Sequence, residues 1–134
     1  MDKIVAKALI INKDGKLLLL FRGDSHPNFP GHLDLPGGEV EGHEHWEDAV
    51  AREIREETDI VVPLSKLTKA FEKTRPDVTH VLYLTEIDET NPTIKLSWEH
   101  RDFKWYEKEA LLNEPLPKSA DPYYADVIEY LRSI

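Results

Sequence analysis

Apolar residues fall into runs short enough for strands, separated by stretches with turn chemistry. Residues 3–11, KIVAKALII, are β-branched and aliphatic and predict a strand. NKDG follows, and Asp14-Gly15 is a hairpin turn signal. KLLLLFR, residues 16–22, is apolar without alternation, which predicts a second strand covered on both faces. Residues 23–34, GDSHPNFPGHLD, hold two prolines and two glycines and predict a loop with a short strand at its end. LPGGEVEG then punctuates the chain.

HWEDAVAREIREET, residues 45–58, lacks Gly and Pro and predicts a helix, with Glu47 and Asp48 suited to its first turn. Residues 60–72 are mixed and predict no element. THVLYLTEI, 79–87, predicts a strand, DETNPT a loop, DFKWY, 102–106, a short strand, and EKEALL a helical turn. NEPLPKSADP is a Pro-rich connector. YYADVIEYLRSI predicts a closing helix with Tyr124, Val127, Ile128 and Leu131 on one face, and the Tyr123-Tyr124 pair reads as packing. There is no internal repeat. The pattern predicts an α+β domain in which a mixed sheet lies between helices.

Composition narrows the function. A length of 134 residues suits a single domain over 1–134, and 40% hydrophobic residues can supply its core. No window is apolar enough for a transmembrane helix, and the N-terminal sequence lacks a signal-peptide layout, so no membrane partner is expected. The absence of cysteine excludes disulfides and thiolate metal sites, and a cytoplasmic protein is the simplest expectation. The net charge of -9 argues against a nucleic-acid surface. A phosphate ligand would need a cation bridge or a few well-placed arginines.

The acidic helix carries the chemistry. At about 100° per residue, with Trp46 at zero, Val50 lies near 40°, Ile54 near 80° and Ala49 near 300°, forming an apolar stripe. On that scale Glu57 falls near 20°, Glu53 near 340° and Glu56 near 280°, on the stripe or at its margin. Half-buried carboxylates are costly unless paired or metal-bound. Clustered oxygen ligands without cysteine point to Mg²⁺ or Mn²⁺. The competing reading is a surface helix laced by Arg52–Glu56 and Arg55–Asp59 pairs. The glycines of LPGG, just before the helix, favour the metal, because backbone there can approach a ligand closely.

Gly38, Glu44, Arg52-Glu53-Ile54, Glu56-Glu57 and Ile60 are spaced as in G-x5-E-x7-R-E-U-x-E-E-x-G-U, where U is aliphatic. This run resembles the Nudix box. The one departure is Asp59 in place of the last glycine. Asp visits the left-handed region more readily than most residues, so strain of about 1 kcal/mol at most is expected there.

The resemblance implies the Nudix fold, an α/β/α sandwich around a mixed sheet. It implies Mg²⁺- (or Mn²⁺-) dependent hydrolysis of a nucleoside diphosphate linked to a further group. Glu53, Glu56 and Glu57 match the family's metal and catalytic glutamates. Gly37 or Gly38 would offer a carbonyl ligand, Arg52 would orient a catalytic glutamate, and Glu44 would support the loop–helix–loop. Glu53 and Glu99 are the two candidates for general base; Glu99 also reads as an exposed strand-end carboxylate. Arg22, His26 and Phe29 are candidate substrate contacts, with strand-end and loop roles as their alternatives. His80, Trp98 and Arg101 read as core or surface more than as a cleft wall. The best expectation for substrate is a nucleoside triphosphate cleaved to monophosphate and pyrophosphate. Dinucleoside polyphosphate, ADP-ribose, a nucleotide sugar, or an inactive nucleotide-binding module are the alternatives, in a monomer or homodimer.

Overall fold

The computed structural model describes residues 3–113 and 124–134. Nine-residue β1 (Lys3–Ile11) turns through residues 12–16 into β2 (Leu17–Arg22). The turn is built by Asn12, whose side-chain oxygen accepts the N–H groups of Asp14 (3.0 Å) and Lys16 (2.9 Å), with Gly15 at φ 80°. Short β3 (Leu33–Asp34) and β4 (Gly37–Glu39) precede α1 (Trp46–Thr58). After a single 3₁₀ turn, Leu64–Lys66, come β5 (Thr68–Arg75), β6 (Val78–Glu86), β7 (His100–Tyr106), α2 (Lys108–Asn113) and α3 (Tyr124–Ser133). Residues 114–122 of the expected connector, and Tyr123, lie outside the described residues.

The sheet is mixed. β1 and β6 run parallel in the register Lys3↔Val78 to Ile11↔Glu86, and every other pairing is antiparallel. Its path is β3-β2-β1-β6-β5, with β7 on β2 and β4 on β1. β2 meets β1 only at Ile11↔Leu17, and β4 fills the other half of that edge opposite Val5, Ala6 and Lys7. The divergence of β1 and β2 opens the place where the cleft forms.

Side-chain alternation produces the layers. Ala6, Ala8 and Ile10 of β1, with Leu18 and Leu20 of β2, pack under Val50 and Ile54 of α1. Leu9 of β1 and Leu17 and Leu19 of β2 face the other way, under Leu111, Val127 and Leu131 of α2 and α3. Helices on both faces explain why β2 is apolar throughout. Each fully buried leucine contributes roughly 1.5–3 kcal/mol, so a charge at position 18 or 19 would break the sheet.

Two strands escaped the sequence pattern. β5 was expected to be mixed chain. It is an edge strand that is partly or fully exposed along its length, and its charged residues are what protects an edge from further pairing. β4 was expected to be only a turn. It is strand by virtue of its partner backbone in β1, a long-range pairing with no local signature. Smaller shifts occur at the ends: α1 starts at Trp46, with His45 as an N-cap lacking a side-chain bond, and β7 starts at His100. Asp59 ends α1 in the left-handed conformation, φ 66°, its N–H bonded to the Arg55 carbonyl.

Candidate active site

A cleft of about 580 Å³ opens where β1 and β2 part. Gly37 and Gly38 of β4 and Arg52, Glu53, Glu56 and Glu57 of α1 line it, as do Arg22, His26 and Glu99 from β2, the loop after it and the turn before β7. These positions, scattered over nearly eighty residues, are what the sequence offered as candidates.

The glutamates of α1 sit at three depths. Glu57 is 3% exposed, and its Oε1 accepts the Gly37 N–H at 2.7 Å. Burial pushes its pKa well above the ordinary carboxylate value, against the opposing pull of Lys7 and of the Gly37 bond. Glu53 is half-buried, and burial raises its pKa too, against the pull of Arg52. Glu56 is exposed. The margin position read from the helical angle therefore faces water, with Arg52 as its bonded neighbour.

Gly37 is required by shape, and Gly38 leaves room for a carboxylate. Gly37 lies at φ 130°, and a Cβ there would run into the Ala6 carbonyl and Lys7 Cα. At Gly38 a Cβ would stand 2.8 Å from the Glu53 carboxyl carbon. The bare backbone of β4 thus lets the carboxylate lie directly on it.

Arg52 organises the exposed side. It donates to Glu44 through Nε (2.8 Å) and Nη2 (3.0 Å), and through Nη1 to Glu53 (3.1 Å) and Glu56 (3.3 Å). Glu44 in turn accepts the Glu41 N–H at 3.0 Å, so it ties the loop to the helix. The bond from Glu44 is the chief cause of a raised Arg52 pKa, and the guanidinium stays charged. The Arg52–Glu56 pair of the competing surface-helix reading does form. Asp59, by contrast, lines a separate hollow together with residues 60–63 and is not among the residues lining this cleft.

A second charge cluster went unnoticed in the sequence. Buried Asp34 accepts from Lys7 Nζ (3.1 Å) and Arg22 Nε (3.3 Å) and pairs with His100 Nε2 at 2.9 Å. Burial alone would raise the Asp34 pKa. The Lys7 charge, the His100 bond and the Arg22 charge outweigh it and hold the carboxyl well below its usual range. Lys7 Nζ also donates to the carbonyls of Leu35 (3.1 Å) and Gly37 (3.3 Å). A lone lysine inside the apolar run KIVAKALII was the one available signal.

The remaining candidates divide. Arg22 lines the cleft with Nη1 held by the Asn28 carbonyl at 2.9 Å. His26 also lines it. Phe29 does not: it is 56% exposed and its ring lies 5.5 Å from that of His32, because the loop turns it away at φ 50°. His80 is buried beside Arg75, and Arg101 pairs with Asp24 at the surface.

Among the described residues no three His, Cys, Asp or Glu side chains already converge as a cation cage. The donors nevertheless fit a hard divalent ion. They are all oxygens, and Mg²⁺ takes only one or two carboxylates when phosphate and water complete its shell. Glu53 and Glu57, which meet at the Gly37–Gly38 backbone, would form such a partial shell, while the Gly37 carbonyl already accepts from Lys7.

Comparison with known proteins agrees with this geometry. The sequence model of the NUDIX domain matches residues 1–128. The chain belongs to the Nudix hydrolase family. Its curated relatives include the nucleoside triphosphatase NudI of Escherichia coli O17:K52:H18, 32% identical over 118 residues, covering 80% of this chain and 84% of that protein. Among solved structures, the MutT protein of Methanosarcina mazei Go1 superposes with a TM-score of 0.77 at 28% identity, covering 98% of this chain and 93% of the other. A bifunctional NMN adenylyltransferase/ADP ribose pyrophosphatase of Francisella tularensis, complexed with AMP and a Mn ion, gives a TM-score of 0.76 at 25% identity, over 99% of this chain and 42% of its own. The fold is the Nudix α/β/α sandwich, and the chain is a hydrolase of phosphoanhydride bonds. No described helix is long and apolar enough to cross a membrane.

Proposed function

We propose that this Nudix hydrolase cleaves a nucleoside triphosphate to a monophosphate and pyrophosphate. The observation that carries the reading is the convergence of Glu53 and Glu57 on the Gly37–Gly38 backbone at one cleft. The similarity to a nucleoside triphosphatase supports the choice of substrate.

In this reading Glu53, Glu56 and Glu57, with the carbonyl of Gly37 or Gly38, hold Mg²⁺ or Mn²⁺. The ion, when bound, neutralises the polyphosphate and stabilises charge on the transferred phosphoryl group. Arg52 fixes the Glu53 carboxylate by a charge-assisted bond. Glu53 or Glu99 accepts the proton of the attacking water. Both line the cleft, and Glu99 is among the charges that raise the Glu53 pKa. Arg22 and His26 meet the substrate from the opposite wall, and Glu44 supports Arg52. The acidic chain acts in the cytoplasm on a small nucleotide, without nucleic acid or membrane, as a monomer or homodimer.

A nucleotide panel with Mg²⁺, its products separated by chromatography, tests this. The expected result is monophosphate plus pyrophosphate from a triphosphate. Faster cleavage of ADP-ribose, a dinucleoside polyphosphate or a nucleotide sugar would replace the substrate class. No cleavage of any nucleotide with Mg²⁺ or Mn²⁺ would leave an inactive binding module.

A further inference from the structure

Trp98 is 67% exposed, in the turn that leads into β7. Trp46 and Trp105, in contrast, pack against the core beneath α1. A large indole left in water contributes little to folding, and this one stands against the ring of His26 and next in the chain to Glu99, both of which line the cleft.

The chain holds this indole in place. The Gly23 N–H donates to the Glu99 carbonyl at 2.7 Å, and the His26 N–H donates to the Gly23 carbonyl at 3.1 Å. A Cβ at position 23 would stand 2.8 Å from the Trp98 carbonyl oxygen, so only glycine lets the two segments close together. The loop after β2 and the turn before β7 are thereby zipped into one unit. The His26 and Trp98 rings lie 6.2 Å apart at 31°. His26 Nδ1 accepts the Asn28 N–H at 3.0 Å, which leaves the ring proton on Nε2 as a donor. Burial and the Arg22 charge lower the His26 pKa and favour this neutral form. Glu99 lines the same cleft as His26, Glu53 and Glu57.

We propose that Trp98 and His26 form the nucleobase platform of this cleft: the base stacks on the exposed indole, and His26 Nε2–H donates to an acceptor on the base edge. The polyphosphate then runs past Glu99 towards Glu53 and Glu57. This deepens, and rests on, the triphosphate reading above. Stacking on an indole tolerates any base but strengthens with ring area, so the loss on removing it is greater for a purine than for a pyrimidine.

The test compares wild type, Trp98→Ala and Trp98→Phe on nucleoside triphosphates. The base is remote from the bond that breaks, so its binding energy acts on ground and transition states alike. Trp98→Ala is expected to raise KM about tenfold or more and to leave kcat within about threefold, while Trp98→Phe keeps most of the affinity. An unchanged KM in Trp98→Ala, with wild type active and both melting alike, overturns the platform. A second measurement stands apart from catalysis. Titration with a nucleoside monophosphate is expected to quench tryptophan fluorescence in wild type and much less in Trp98→Phe. Equal quenching in the two overturns the platform. Were no triphosphate cleaved by wild type, the substrate reading would fall, and the quenching titration would still decide the platform.

Discussion

Two clusters of charge flank one cleft, and they are built to opposite specifications. Around Arg52, the carboxylates of Glu44, Glu53 and Glu56, with Glu41 at 4.0 Å, share a guanidinium whose side chain is 29% exposed. Around Asp34, a lysine, an arginine and a histidine share one carboxylate, and Lys7, Asp34 and His100 are each 5% exposed or less. Water reaches the first set, so its pairs are screened and can exchange partners. In the proposed site a divalent cation would draw the exposed Glu56 away from Arg52 at little cost, while Arg52 keeps its bond to Glu53. The second set cannot exchange. Removing one member of a buried pair strands another charge away from water. Through Lys7 this rigid set grips the carbonyls of Leu35 and Gly37, beside the backbone that receives Glu57. The difference suggests a division of labour in which the helix supplies adaptable ligands and the sheet supplies the fixed frame.

The contrast breaks most sharply at Glu57, which is buried like the second set but belongs to the helix of the first. Glu57→Gln keeps an oxygen to accept the Gly37 N–H while removing the charge. Turnover should fall about 10³-fold, with a melting temperature equal to wild type or above it. Retained activity in steady-state assays would remove Glu57 from the proposed site.

Next comes the frame itself. Lys7→Met is expected to cost about 3 kcal/mol in urea unfolding, and Lys7→Met with Asp34→Leu to recover part of it. A loss as small as that of an exposed pair would make the two clusters energetically alike. The frame also has a pH signature. The Asp34 pKa is lower folded than unfolded, so the unfolded chain takes up the proton first as pH falls. Its contribution is complete above the unfolded value of about 4 and drains away as pH drops towards the folded value. The stability gap between wild type and Asp34→Asn should therefore stay constant above about pH 5 and narrow progressively as pH falls below about 4.

Glu44→Gln tests the adaptable side more gently. Arg52 loses its bidentate partner but keeps Glu53 and Glu56, and kcat should drop about tenfold, as for other residues that orient a ligand. The smallest effect is expected at the end of α1. Asp59→Gly relieves a left-handed residue at φ 66° and should stabilise by about 0.5 kcal/mol in thermal or urea melts, with no change in kcat.

The same contrast separates what could be read from the sequence from what could not. Glu44, Arg52, Glu53, Glu56 and Glu57 lie on or just before one helix, where the 3.6-residue turn fixes their relative directions before any tertiary contact forms. Even there, depth was misjudged for Glu56, because an angle gives a face and not what covers it. Phe29 failed for a related reason: proximity to the box in sequence did not bring its ring into the cleft. Lys7, Arg22, Asp34 and His100 come from β1, β2, β3 and β7, and nothing local announces that they meet. β4 and β5 were missed likewise, one defined by its partner's backbone and the other by its position at an edge.

By itself, then, the sequence determined the strand-rich α+β pattern, the amphipathic acidic helix with Asp59 at its end, and the box that marks a phosphoanhydride hydrolase. The first two follow from short-range periodicity, which backbone geometry enforces; the box speaks only through its resemblance to the Nudix family. The tertiary structure decided how deep each glutamate lies, which glycine receives Glu57, that Asp34 gathers Lys7, Arg22 and His100, and that Trp98 stands beside His26. Those outcomes depend on pairings between distant strands, whose register is set by burying both faces of one sheet at once.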